Sequence, residues 1–447
     1  METGVQEPLT PPAPRHAAPR PTPTAAPPRD YATSMRTFWS AVSAPFWIAV
    51  SRIGLGIVFA HLVLDLLPKS AQDLGGAILS PNTWLGGFDR WDSAYYLDIA
   101  QHGYQVHPAD LAQHTAFFPG YPLLIAAVHG ATGGALSYLD SGLVVSWVAL
   151  VGAAVLLYRL ADRLWDTRVA LIATVAFCWF PASLFYLSPY SEALFAFEII
   201  LVLTLIERGR FWWAAGVAAF ASATSPESVA LTLAILVGAL LARRGIVRAI
   251  GYVVVSGLGI AAYSGYLWSR FHHPFEFDPV QKYWKRSEHF PFVGLYRNVL
   301  ALEHYIPTVA PGVPSLSNTR WIWILDDSAL VVAAALVLTM VGLWVVQWRS
   351  GRLTSAGVGS LSVPLPFIVA AVVIVLIAAC TTISPYALPT YASSEGEARF
   401  VAVAMPLYLS GALLVRRRPA LICFALGGCV VAALLFQALY NLGYWVT

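Results

Sequence analysis

The chain has 447 residues, of which 58% are hydrophobic and only 11% charged. A soluble domain carries about 25% charged residues, so a chain this long and this poor in charge cannot cover a water-facing surface, and a soluble enzyme is excluded. Its 27 basic and 24 acidic residues leave a formal charge of +3, too small to argue for a nucleic-acid partner. Recurrent apolar stretches point instead to an all-α polytopic membrane protein, because lipid cannot hydrogen-bond a bare backbone.

Residues 1–35 are rich in Pro, Ala, Arg and Thr. They lack the apolar run of a cleaved signal peptide and cannot build a core, so a disordered tail is expected. Arg15, Arg20, Arg29 and Arg36 place that tail on the cytoplasmic side of the multi-pass region, 36–447. Apolar stretches follow at about 45–67, 118–133, 141–158, 168–187, 189–207, 211–225, 226–242, 246–269, 327–347, 364–385, 400–416 and 419–441. Arginine clusters mark the cytoplasmic loops: Arg159, Arg163 and Arg168; Arg208 and Arg210; Arg243, Arg244 and Arg248; Arg349 and Arg352; Arg416, Arg417 and Arg418. Three apolar stretches lie between the tail and the first of these loops, yet both are inside, so the number of crossings there must be even. The 118–133 stretch is short and holds Pro122, His129 and Gly130, so it reads as a half-helix or re-entrant segment. About eleven full crossings remain, with the C-terminus outside. The outer side then collects the 68–117 loop, the 185–192 turn, the 222–228 turn, the 270–326 loop and the 386–399 loop, with most of the acids and histidines. The turn at Ser225–Pro226 is expected below the membrane surface, lining a cavity.

Lysine occurs only at Lys69, Lys282 and Lys285. With the heavy alanine usage this looks like a GC-rich bacterial coding bias, hence a bacterial plasma membrane. Cys178, Cys380, Cys423 and Cys429 lie in apolar runs without metal-ligand spacing and read as small buried hydrophobes.

The segment richest in chemistry runs from Phe88 to Tyr104, FDRWDSAYYLDIAQHGY, followed by HTAFFPGYP from His114 to Pro122. If the first stretch is helical, Asp89, Asp92 and Tyr96 share one face. It reads either as a solvated amphipathic helix anchored by its Trp and Tyr at the headgroups, or as a site built around Asp92. His102, His107 and His114 either orient substrate or belong to a polar interfacial loop; nothing beyond their spacing suggests zinc. Within the membrane, Asp65 and Glu198 are functional candidates by default, although Glu198 can equally pair with a neighbouring span. Arg52 is too far from Asp65 on the same helix to pair with it.

RWDSAYYLDIAQHGY with the following FFPGYPLL resembles the PIG-V mannosyltransferases. FPASLFYLSPYSEALFAF, Phe180 to Phe197, resembles the family's second signature, matching at Pro181, Tyr190, Ser191 and Glu192. DPVQKYWKRSEHFPF, Asp278 to Phe292, is similar to its large outer loop, with Gln281 and Trp284 matching. EARFVAVAMPLYL, Glu397 to Leu409, resembles the late Arg-Phe signature, matching at Arg399, Phe400 and Pro406. The chain departs from the family at 223–229, where relatives carry a Thr-Arg pair and then Gly, and this chain has Glu227 in ATSPESV. The departure bears on donor or acceptor identity.

The resemblance implies a GT-C-type membrane fold and transfer of a sugar, mannose in the family, from a polyprenyl-phosphate donor to an acceptor hydroxyl. It implies no obligatory metal and no cofactor. An aspartate of the first outer loop acts as general base in this class, and Asp92 matches it, with Asp89 beside it as a second catalytic candidate. One base without a second nucleophilic carboxylate fits single displacement with inversion. Arg399 is the leading cation for the donor phosphate, with Lys282, Lys285 and Arg286 as alternatives. Arg90, Trp91, Tyr96, His102, His114, Tyr190, Glu192, Gln281 and Trp284 complete the expected substrate-binding set. The competing classes are a transporter or flippase of lipid-linked glycans and a non-catalytic subunit of an envelope-assembly complex. A transporter should show internal repeats with paired broken helices; the sequence shows no repeat, and its polar residues crowd one side. The acceptor is not named by the sequence.

Overall fold

The computed structural model describes residues 31–67, 83–105, 114–282, 286–304, 320–352, 361–383 and 396–443. The expected tail falls outside these up to residue 30, and helix α1, Tyr31–Leu66, opens five residues inside it. Val42–Thr447 forms one compact unit. Within it follow α2 Ser93–His102, α3 Gly120–Ala131, α4 Tyr138–Leu164, α5 Thr167–Cys178, α6 Glu192–Glu207, α7 Phe211–Thr224, α8 Val229–Leu241, α9 Ile246–Ser256 and α10 Leu258–Phe271. Then come α11 Val293–His304, α12 Arg320–Arg349, α13 Leu365–Cys380, α14 Glu397–Ala402, α15 Met405–Val415 and α16 Pro419–Asn441. Among the described residues the fold is all-helical apart from two three-residue strands, β1 Arg286–Glu288 and β2 Thr381–Ile383, which pair antiparallel.

Among the described residues, four helices are long and apolar enough to cross a membrane alone: Val42–Leu66, Tyr138–Leu164, Ile324–Arg349 and Pro419–Asn441. A fifth crossing is possible if α9 and α10 act together across their 45° bend. Expected straight spans are therefore broken in several places. The 168–187 stretch ends in the 3-10 turn Pro181–Tyr186, where proline cannot extend α5. The 246–269 stretch bends between Ser256 and Leu258 at Gly257. The 400–416 stretch splits into α14 and α15, with Pro406 in the first turn of the second. The shorter apolar helices, of 10–17 residues, reach at most about 26 Å at 1.5 Å per residue, less than the ~30 Å apolar core of a bilayer. The expected half-helix at 118–133 is such an element, the 12-residue α3.

Small residues set the packing. A Cβ on Gly120, at the start of α3, would lie 2.5 Å from Thr224 Oγ1 and 2.9 Å from the Ala223 carbonyl oxygen. Only glycine lets α3 approach the end of α7 this closely. Polar residues inside the bundle find cross-helix partners, as buried groups must. Arg52 donates to Ser183 at 3.2 Å and to Gln437 of α16 at 2.9 Å, with its guanidinium over Trp179. Glu198 accepts from Thr224 at 3.0 Å, the pairing with a neighbouring helix that the sequence left as one of two readings. Asp65 is exposed near the end of α1.

The basic turns share one end of the bundle. Asp166 caps α5 through the Val169 amide and also receives Arg416, at 2.8 Å each. Arg163 lies 4.0 Å from Glu207, and Arg244 donates to the Gly209 carbonyl at 3.3 Å. Loops assigned to one side by their arginines alone are thus in contact with each other.

Candidate active site

The opposite end of α6 carries a cluster drawn from three distant segments. Asp92 stands just before α2, Glu192 opens α6, and Arg399 lies in the six-residue α14. Arg399 donates through Nη1 to Asp92 at 2.6 Å and through Nε to Glu192. Its guanidinium also lies 4.8 Å from the Tyr190 ring and 5.3 Å from the Phe185 ring. One planar cation therefore joins two carboxylates across two aromatic faces, an arrangement the rigid fork of arginine allows and the single ammonium of lysine does not. The α6 N-terminus adds favourable partial charge for Glu192. The side chains of Arg399 and Asp92 keep 10% and 13% of their surface, so the pair is shielded but not sealed. Asp92 Oδ1 has no hydrogen-bond partner among the described residues.

Tyr190 positions the loop that carries Asp92. Its hydroxyl donates to the Arg90 carbonyl at 3.1 Å and accepts from the Asp92 amide at 3.2 Å. Tyr440 of α16 donates to the Phe88 and Arg90 carbonyls at 3.0 and 3.2 Å. Tyr96, on the buried side of α2, shares a 2.9 Å hydrogen bond with Ser191. Burial, then the negative charge of Glu192, pushes the Tyr96 phenol up, which keeps its proton in place.

The remaining expected residues separate into three groups. Helix α2 begins only at Ser93, and Trp91 sits in left-handed backbone at φ 58°. Asp89 is therefore not on a helical face with Asp92 and Tyr96. It is 2% exposed and receives the Ser93 hydroxyl at 2.8 Å. Arg90 is also buried and donates to the Asn441 carbonyl at 2.6 Å, tying the loop to the end of α16. Left-handed backbone in a non-glycine residue costs of order 1–3 kcal/mol and persists where surrounding contacts hold it; here it turns Asp89 and Arg90 inward beside Asp92. The second group is His102 and His114, which meet one carboxylate, Asp98, at 2.8 and 2.9 Å. His114 also packs edge-on against Tyr95. The third is Gln281, which donates to Phe277 within its own turn at 3.2 Å and does not join the cluster. Trp284, Lys285 and His107 lie outside the described residues.

Sequence reasoning missed Asp326. From α12 it accepts the amides of Glu397 and Ala398 at 3.1 and 2.8 Å, capping the helix that carries Arg399. The neighbouring Asp327 receives both bonds of the Asn298 amide from α11, at 3.0 and 3.1 Å. The chain pattern holds no signal for this, since the partners lie 72 residues apart. Removing a cap costs about 0.5–2 kcal/mol, and each buried amide left unpaired about 1–3 kcal/mol. Asp326→Ala should therefore lower the melting temperature and reduce activity roughly tenfold, since about 1.4 kcal/mol is a factor of ten. Asp326→Asn, which retains one acceptor, should fall between. Unchanged melting and activity in Asp326→Ala would remove this residue from the support of Arg399.

The family description Mannosyltransferase (PIG-V) matches residues 77–243. The GPI alpha-1,6-mannosyltransferase 2 of Cricetulus griseus is 39% identical over 153 residues, which are 32% of this chain and 29% of that protein. The human protein of the same name is 35% identical over 147 residues, 31% of this chain and 29% of its own length. The GPI mannosyltransferase 2 of Drosophila melanogaster is 34% identical over 123 residues, 26% of each chain. The matched stretch thus spans less than a third of these relatives. Across residues 77–243, which carry Asp92, Tyr190 and Glu192, this chain is PIG-V-like.

Proposed function

We propose that this chain is a membrane mannosyltransferase that moves mannose from a polyprenyl-phosphate donor to an acceptor hydroxyl. The observation that carries this reading is the junction of Asp92, Arg399 and Glu192, a carboxylate with one oxygen outside the ion pair among the described residues, beside a cation suited to phosphate. In the proposed step the acceptor oxygen bonds to the anomeric carbon as the bond from that carbon to the phosphate oxygen breaks. Asp92 takes the hydroxyl proton. The polyprenyl phosphate leaves with the electron pair, and its charge is met by Arg399. A single displacement inverts the anomeric centre. Phosphate competes with Asp92 for the guanidinium, so donor arrival also loosens the base for its proton.

The chain is multi-pass; in this reading its N-terminus is cytoplasmic and the cluster faces the outside of a bacterial plasma membrane. The contact among the basic turns at the other end of the bundle supports this orientation. A transporter or flippase has less support, since the relatives matched are named mannosyltransferases. The test is transfer in vesicles reconstituted with the full chain and supplied with polyprenyl-phosphate mannose or a nucleotide sugar. Only the lipid donor should be consumed, and only when the outer face of the protein meets it; consumption of the nucleotide sugar alone would overturn the reading. Cysteines placed at Ser80 and Ser350 should label from the outer and inner sides respectively.

A further inference from the structure

A polar concavity lies at the basic end of the bundle. It has a volume of about 360 Å³ and lies between the α6–α7 and α8–α9 turns, lined by Arg210, Arg244, Arg248, Trp212, Trp213 and Tyr252 together with Gly209 and Phe211. No carboxylate lines it. It is separated from the Asp92 cluster by the length of α6, whose 16 residues span about 24 Å, so it is not an extension of the candidate active site.

The three cations are held differently. Arg244 is pinned by its bond to the Gly209 carbonyl and by the Phe211 ring 5.3 Å from its guanidinium. Arg210 and Arg248 are exposed and make no side-chain hydrogen bond or ion pair among the described residues. Trp212 and Trp213 are 55% and 70% exposed, as indoles are at the boundary between headgroups and acyl chains. On α9, Arg248 and Tyr252 are one turn apart and face the concavity, whereas Ile250 and Val254 are exposed on another face. Concentrated positive charge, aromatic walls and adjoining apolar surface match a molecule with an anionic head and hydrocarbon tails. Free phosphate would use the arginines but would have no use for the exposed indoles or the apolar face.

We infer that this concavity binds the phosphodiester headgroup of an anionic glycerophospholipid on the side of the membrane opposite the Asp92 cluster. The inference depends on the membrane reading of the chain and not on the transfer reaction. Basic pockets between helices at the cytoplasmic surface are suited to such headgroups, with attraction falling off within a Debye length.

The experiment is native mass spectrometry and thermal melting of the delipidated full-length protein with phosphatidylglycerol, phosphatidylcholine or inorganic phosphate. Phosphatidylglycerol should bind and raise the melting temperature, and the other two should do neither. Arg210→Gln combined with Arg248→Gln should weaken phosphatidylglycerol binding by roughly tenfold or more, and Arg248→Gln alone should weaken it less. The control, Arg349→Gln with Arg352→Gln in another basic loop, should leave binding unchanged. Equal loss in the control would assign the effect to general surface charge and overturn the site. Equal binding of phosphatidylcholine would overturn the charge argument, and an equal response to inorganic phosphate would make it a free-anion site. Retention of full affinity in a folded double variant would remove these arginines from lipid binding.

Discussion

Asp92→Asn is expected to slow sugar transfer by about 10²–10⁴-fold, the usual worth of a positioned general base. The substitution keeps the shape of the side chain and removes its capacity to take a proton. It also withdraws one of the two anions on Arg399, but Glu192 remains bound to the guanidinium through Nε, so the cation stays paired. The Asp92 amide keeps its bond to Tyr190, and the loop should hold its course. The comparison is Asp89→Asn. Asp89 is buried against Ser93, so its loss should register in the melting temperature more than in the rate at matched expression. Transfer near the wild-type rate in Asp92→Asn with an inactive but folded Asp89→Asn would assign the base to Asp89. Activity in both would remove the whole segment from the chemistry.

The contrast between these two aspartates marks how far residue patterns carry. Spacing alone puts Asp89, Asp92 and Tyr96 on one helical face. The backbone defeats that periodicity, because Trp91 adopts a positive φ and the helix starts two residues later. A turn fixed by distant hydroxyls, those of Tyr190 and Tyr440, leaves no local mark. Asp92, Tyr190, Glu192 and Arg399 were all legible as separate motif residues, and the structure adds that one guanidinium joins the two acids. Asp98 bridges His102 and His114, a pairing that no spacing along the chain announces. The membrane segments show the same division. Hydropathy locates residues that avoid water, but it is indifferent to whether their helix runs straight. The Pro181–Tyr186 turn stays apolar because protein rather than lipid surrounds its irregular backbone, and the 45° bend between α9 and α10 falls at Gly257 without any break in the apolar run.

Arg399→Lys is expected to raise the donor concentration needed for half-maximal transfer and to lower kcat/KM by roughly 10–100-fold, corresponding to about 1.5–3 kcal/mol for a hydrogen bond to a charged group. The charge is retained, so simple electrostatics predicts little change. The geometry predicts more. Arg399 reaches Asp92 through Nη1 and Glu192 through Nε while lying over Tyr190 and Phe185. A lysine ammonium is a single point at the end of a flexible stem and cannot present two parallel donors to a phosphate or span both carboxylates. It should settle on one acid and leave the other poorly paired. Arg399→Ala is the harsher test and the less informative one. It strands Asp92 and Glu192 side by side without a cation, and removing one partner of a buried pair costs about 3–5 kcal/mol, enough to threaten folding. Glu192→Gln separates the two roles, because it leaves the arginine free to meet phosphate while removing its inner anchor. If Arg399 handles the donor, Arg399→Lys should lose donor use while its melting temperature falls less than that of Arg399→Ala, and Glu192→Gln should retain more of that use. Equal donor dependence in wild type and Arg399→Lys would show that the guanidinium only holds Asp92 and Glu192 together, and the phosphate would then need another cation.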